Sequence, residues 1–148
     1  MTDETGITED AGLLSPSSRI LVVDDDPGLL VLMAKMLERI GPKPLTAETG
    51  TGALAILERE PIDLLILDLM LPDINGLQVL KQIREDFRFD SMPVLILSAK
   101  ADPDTISEGF ELGADAYLTK PYLPNTLVSR VRTLMAQGRR TPDESTQD

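Results

Sequence analysis

Three adjacent carboxylates, Asp24, Asp25 and Asp26, stand where the aliphatic run Ile20-Leu21-Val22-Val23 ends. Three more polar residues end runs of the same kind: Asp68 follows Leu64-Leu65-Ile66-Leu67, Ser98 follows Val94-Leu95-Ile96-Leu97, and Lys120 follows Ala116-Tyr117-Leu118-Thr119. Short apolar runs alternating with helix-like segments read as parallel strands buried on both faces, and ligands of such sheets sit beyond the carboxyl ends of the strands. Carboxylates, a hydroxyl and an ammonium are therefore expected to converge on one spot.

Each of these residues also has a plainer reading. Asp26, followed by Pro27, suits a helix N-cap with proline at the first helical position. Asp24 and Asp25 are harder to dismiss as a solvated loop. Like charges ~4 Å apart repel by roughly 1 kcal/mol in water and roughly 4 kcal/mol at an effective dielectric of 20. Gathered beside Asp68 they call for a cation, and hard oxygen ligands with room for water and phosphate suit Mg²⁺. Asp68 alone reads equally as a structural strand-end acid. With a metal and the point charge of Lys120 nearby it becomes a candidate nucleophile that forms an acyl phosphate. Ser98 either satisfies a neighbouring backbone group or donates to a phosphoryl oxygen.

Composition narrows the chemistry. Among 148 residues there is no cysteine and no histidine, which excludes disulfides, Cys/His zinc sites, His-based triads and thiol nucleophiles. A net charge of -11 disfavours nonspecific contact with nucleic acid. No apolar run approaches the ~20 residues of a membrane helix, and the first 18 residues lack the basic and apolar regions of a secretory signal. A cytoplasmic location and no membrane partner are expected.

The elements that must hold these side chains can be read in turn. Residues 1–18 are acidic and Gly/Ser/Pro-containing, which predicts a disordered arm. Leu30, Met33, Ala34, Leu37 and Ile40 form a helical stripe stopped by Gly41-Pro42, and Lys43 to Ala47 is a weak strand that Pro44 assigns to an edge. Thr51 to Arg59 reads as a helix, Asp63 to Asp68 as a strand, and Leu69 to Gly76 as a turn-rich loop. Leu77, Leu80, Ile83 and Phe87 mark the next helix, Asp102 to Leu112 another, and Pro124 to Ala136 the last, with Leu127, Val131 and Leu134 inward. Residues 137–148 read as a polar tail. Five strands alternating with five helices predict one α/β domain over 19–136, doubly wound with strand order 2-1-3-4-5, as in flavodoxin-like sheets.

The segments Val22-Val23-Asp24-Asp25-Asp26, Leu67-Asp68-Leu69-Met70-Leu71-Pro72-Asp73-Ile74-Asn75-Gly76, Leu97-Ser98-Ala99-Lys100 and Gly113 to Pro121 occur in an order that resembles receiver domains of bacterial two-component response regulators. The resemblance implies a phosphorylation-dependent signalling switch in which Asp68 accepts a phosphoryl group from a histidine kinase or phosphotransfer protein. It implies Mg²⁺ held by Asp25, Asp68 and the Met70 carbonyl, with Asp24 acting mainly through water. Lys120 would pair with Asp68 across a cis bond to Pro121. Ser98 would move toward the phosphoryl group and let Tyr117 turn inward, changing the face formed by the fourth helix, fifth strand and fifth helix. Tyr117 also reads as a half-buried core aromatic, although aromatics make up only 3% of the chain.

The receiver reading implies no enzyme beyond self-catalysed phosphotransfer and slow autodephosphorylation. A haloacid dehalogenase-type phosphatase would need an acid two residues after the nucleophile, where Met70 stands. A phosphorylation-independent binding module would not need the full acidic set. The third and fourth segments look most like receivers of winged-helix transcription factors, so a downstream protein or a second copy is the expected target. The residues after Ala136 are too few for a DNA-binding module, and direct nucleic-acid contact by this chain is not expected. Whether the chain stands alone or is a fragment stays open.

Overall fold

The computed structural model describes residues 12–140. Strands β1 (Ile20–Val23), β2 (Leu45–Ala47), β3 (Leu64–Leu67), β4 (Val94–Ser98) and β5 (Ala116–Thr119) alternate with helices α1 (Pro27–Glu38), α2 (Gly50–Arg59), α3 (Gly76–Arg84), α4 (Pro103–Glu111) and α5 (Pro124–Gln137). All strand pairs are parallel and the order is β2-β1-β3-β4-β5. The expected doubly wound sheet is what forms, with the short, half-exposed β2 at an edge.

Side chains alternate between two apolar layers. Ile20, Val22, Leu64, Ile66, Leu95 and Leu97 pack with Leu30, Met33 and Leu37 of α1 and Leu127, Val131 and Leu134 of α5. Leu21, Val23, Leu65, Leu67 and Ile96 pack on the other face against α2 and α3. Every residue of the three central strands is buried, which leaves the strand ends as the place where polar groups reach solvent. Asp26 caps α1 as the sequence suggests, its Oδ1 accepting from Gly28 N (2.9 Å) and Leu29 N (3.3 Å).

Two expectations need correction. Phe87 is not on the apolar face of α3, which ends at Arg84; it opens a short 3₁₀ turn (Phe87–Phe89) and is 82% exposed. The tighter winding of that turn breaks the helical register on which its inward placement rested. The expected arm is ordered before Arg19: Leu14 is buried in the α1/α5 layer, its N–H donates to the Ile40 carbonyl, and Arg132 Nε donates to the Gly12 carbonyl at 3.1 Å. Gly41 leaves room for that leucine: a Cβ there would lie 3.1 Å from Leu14 Cβ. The remainder of the expected arm, residues 1–11, lies outside the described residues, as do 141–148 of the expected tail.

The start of that tail is also fixed. Gly138 turns the chain at φ +76°, a conformation that favours glycine. Arg139 and Arg140 then fold back on Asp115, whose Oδ1 accepts from Arg139 Nε and Arg140 N, both at 3.0 Å. Its Oδ2 accepts from Val94 N (2.9 Å) and Arg84 Nη2 (3.1 Å). Burial lowers the Arg84 guanidinium to about 10, still charged at neutral pH. Arg140 also lies 4.8 Å over the Phe110 ring and donates to the Phe110 and Ala114 carbonyls.

The burial of Leu14 yields a direct test. Leu14→Ala should cost about 2–5 kcal/mol in chemical denaturation, the range for emptying a core leucine site. A loss below about 0.5 kcal/mol, as for a surface position, would place the segment outside the core.

Candidate functional site

Beyond the carboxyl ends of β1, β3 and β5, Lys120 reaches between two buried carboxylates. Its Nζ is 2.8 Å from Asp24 Oδ2 and 3.2 Å from Asp68 Oδ2, with Asp24 2% and Asp68 5% exposed. The pairing is therefore shared, and the shorter contact is to Asp24. The other oxygens are occupied as well: Asp24 Oδ1 accepts from Asp26 N (3.0 Å) and Asp68 Oδ1 from Met70 N (3.1 Å). The Lys120-Pro121 peptide is cis.

Asp25 is exposed, yet Asp24, Asp25 and Asp68 each offer a ligand oxygen, and these oxygens lie within 4.8 Å of one another. Three carboxylates against one ammonium leave two negative charges in the cluster. The donors are all hard oxygens, the type that a hard divalent cation prefers. The cluster can hold a metal ion.

Burial raises the Asp68 carboxyl above its ordinary value, and the Met70 N–H and Lys120 offset only part of that rise. Burial works against the Lys120 charge too, but Asp24 and Asp68 outweigh it and hold the ammonium above its usual value. A partly desolvated carboxylate facing a firmly charged ammonium suits attack on an electron-poor centre whose surplus negative charge the ammonium can share.

The loop after Asp68 packs closely back onto it. Gly76, the first residue of α3, donates its N–H to the Leu69 carbonyl at 2.9 Å, and a Cβ there would lie 2.5 Å from the Asp68 carbonyl oxygen. A side chain at 76 would displace the backbone that carries Asp68. Met70 lies within this loop with its side chain 56% exposed.

On the β4 side, Ser98 is fully buried, and its Oγ accepts from Lys100 N at 3.2 Å. Tyr117 Oη donates to the Lys100 carbonyl at 2.6 Å. Both main-chain polar groups of one residue, Lys100, are thus held by Ser98 and Tyr117. The Tyr117 ring lies against Gly109 of α4, where an added Cβ would come 2.8 Å from Ile96 Cδ1 and 3.6 Å from the ring. The sequence flags Ser98 and Tyr117 but not Lys100 as their meeting point, because the contact is made through main-chain atoms.

A model of the response regulator receiver domain matches residues 20–132. The chain belongs to that family. Among similar proteins, this receiver is 43% identical to the regulatory protein VanRc of Enterococcus gallinarum over 124 residues, 84% of this chain and 52% of VanRc. It is 40% identical to the alkaline phosphatase synthesis transcriptional regulatory protein PhoP of Bacillus subtilis over 122 residues, 82% of this chain and 50% of PhoP. The receiver thus spans about half the length of these curated relatives. In structure it is similar to a CheY-like response regulator receiver domain protein from Methanospirillum hungatei, with TM-score 0.75 and 30% identity over 80% of this chain and 93% of that one. Among the described residues, no helix of the receiver is long and apolar enough to cross a membrane.

The raised Asp68 value carries a stability consequence with a definite sign. A carboxyl whose folded value lies above its unfolded value supports folding below the unfolded value, and that support is lost as pH rises through the folded one. Asp68→Asn should therefore raise the melting temperature at pH 7, with the advantage shrinking as pH falls through the raised folded value and gone below the ordinary value of 3.8. Thermal melts across this range that show an advantage growing toward low pH would refute the assignment.

Proposed function

We propose that this receiver is a phosphorylation-dependent switch in which Asp68 is the phosphoryl acceptor. The observation that carries the reading is the Asp68 carboxylate under the Lys120 ammonium, within the oxygen cluster completed by Asp24 and Asp25. A carboxylate oxygen of Asp68 forms a bond to phosphorus while the bond from phosphorus to the donor's imidazole nitrogen breaks, its electron pair staying on the imidazole. Lys120 leaves Asp24 to follow the charge onto the phosphoryl oxygens. Water attack at phosphorus later releases phosphate and restores the carboxylate, the slow autodephosphorylation that makes the switch reversible.

Asp25, Asp68 and the Met70 carbonyl would hold Mg²⁺, with Asp24 acting through water. When bound, the ion neutralises charge on the transferring group. The donor would be a phosphohistidine on a histidine kinase or phosphotransfer protein. A groove of about 730 Å³ supports a protein donor: it is lined by Leu29, Leu32, Met36, Pro121 and Tyr122, and Lys120 forms part of its wall. A helix seated there would bring its histidine against the site.

The output would begin at Lys100. If Ser98 Oγ donates to a phosphoryl oxygen, it turns from the Lys100 N–H, and the segment that holds the Tyr117 hydroxyl loses one of its two ties. Tyr117, whose ring already lies beside Gly109, can then turn inward, altering the surface of α4, β5 and α5 that a downstream protein or a second copy would read. A cytoplasmic location fits this exchange with a kinase.

Two outcomes are expected. Incubated with Mg²⁺ and acetyl phosphate, the chain should gain the mass of one phosphate and Asp68→Asn should gain none; equal modification of the variant would defeat the reading. Ser98→Ala should still be phosphorylated on Asp68 but show weaker amide-exchange changes over residues 104–112 and 116–118. Identical changes in both proteins would separate the hydroxyl from the switch.

A further inference from the structure

The loop from Asp68 to Asn75 carries both the nucleophile and Met70, and two contacts pin it. One is the close approach of Gly76 to Asp68 and Leu69 described above. The other is made by Asp73, which reaches out of the loop to the start of α2. Its Oδ1 accepts from Gly50 N at 2.9 Å, and its Oδ2 accepts from Thr51 N at 2.9 Å and from Thr51 Oγ1 at 2.5 Å. These donors hold the Asp73 carboxyl well below the usual carboxylate range.

Asp73 shares the capping of α2 from outside the helix, accepting from its first two N–H groups. Thr49 already occupies the N-cap position, its Oγ1 accepting from Gly52 N at 2.9 Å. Asp73 is thus an additional, charged tie between two elements 22 residues apart in sequence. The joint is also close in packing: a Cβ on Gly50 would lie 2.9 Å from Val79 Cγ2 and 3.3 Å from Ile74 Cβ. With Gly76 at one end and Asp73 at the other, the main chain between Met70 and Pro72 is held from both sides.

We infer that Asp73 and Thr51 form a clamp that positions the Met70 main chain as a metal ligand, making Asp73 a positioning residue for the phosphoryl-transfer site. The inference rests on the reading above, in which the Met70 carbonyl holds Mg²⁺. Asp73 touches neither the metal cluster nor Asp68, so its effect passes through the loop backbone. Supporting groups of this kind set metal affinity by fixing the ligands they touch or carry, and their loss typically costs ~10–100-fold in affinity or activity. When the ion is saturating, the loop is held by the ion itself, and the clamp ceases to matter.

This predicts a split between metal affinity and the saturated rate, which a general loss of folding would not produce. Over a Mg²⁺ titration of the full chain, Mg²⁺ binding would be followed by the rise in melting temperature, alongside initial rates of phosphorylation by acetyl phosphate. Asp73→Ala should raise the half-saturating Mg²⁺ about tenfold, with the rate at saturation within about twofold of wild type. Asp73→Asn, which keeps one acceptor oxygen, should fall between. Thr51→Ala should shift the midpoint in the same direction by less, and adding it to Asp73→Ala should change little more, since both break one clamp. An unchanged midpoint in Asp73→Ala, or a lowered saturated rate with an unchanged midpoint, would overturn the inference. If Asp73→Ala fails to fold, Thr51→Ala on α2 carries the same test. Wild-type phosphorylation that ignores Mg²⁺ would instead refute the metal reading on which the clamp depends.

Discussion

The ammonium of Lys120 shared by two buried carboxylates is the interaction on which the rest of the site depends. Burying Asp24 and Asp68 side by side costs desolvation at each and repulsion between them, and one ammonium between them offsets part of that cost. With Asp25 at the rim, the cluster keeps two negative charges in excess. A divalent cation answers that excess, and a phosphoryl group adds charge that both the cation and Lys120 can share. The strain of the clustered charges and the proposed phosphoryl transfer thus have one origin.

Much of this is legible in the sequence because burial on both faces leaves a distinctive trace. Leu64-Leu65-Ile66-Leu67 and Val94-Leu95-Ile96-Leu97 cannot alternate with polar residues, so they stand out as central strands, and the first polar residue after each marks a candidate-site position. Pro44 correctly places β2 at an edge. Other features leave no such trace. That Lys120 lies nearer Asp24 than Asp68 depends on side-chain reach across three strands. Leu14 is a single apolar residue among polar ones, and no periodicity reports where one side chain docks. Asp73 carries a cap-forming side chain, yet Asn75 caps its own helix while Asp73 ties down another.

The helices are anchored unevenly. Helices α1, α2, α3 and α5 each bury three or four residues, whereas α4 buries only Gly109. Its start is capped by Asp102, which accepts from Thr105 N at 3.0 Å, and its end is met by Arg140 stacked on Phe110. Few buried apolar contacts make a segment inexpensive to move. The Tyr117 ring packs against the one residue of α4 that is buried, so displacement of that ring bears on the least anchored helix. At the far end of the sheet, Asp115 gathers Arg84, Arg139 and the backbone of Val94 and Arg140, a fixed pole opposite the site.

The central claim is that Lys120 transfers its charge from Asp24 to a phosphoryl group on Asp68. Its most direct test is a crystal structure of the chain with Mg²⁺ and beryllofluoride, a mimic of the acyl phosphate. The account predicts beryllium bonded to an Asp68 carboxylate oxygen, the cation touching Asp25, Asp68 and the Met70 carbonyl, and Lys120 Nζ moved from Asp24 onto a fluorine. Beryllofluoride on another residue, or Lys120 still at 2.8 Å from Asp24 with Asp68 modified, would contradict it.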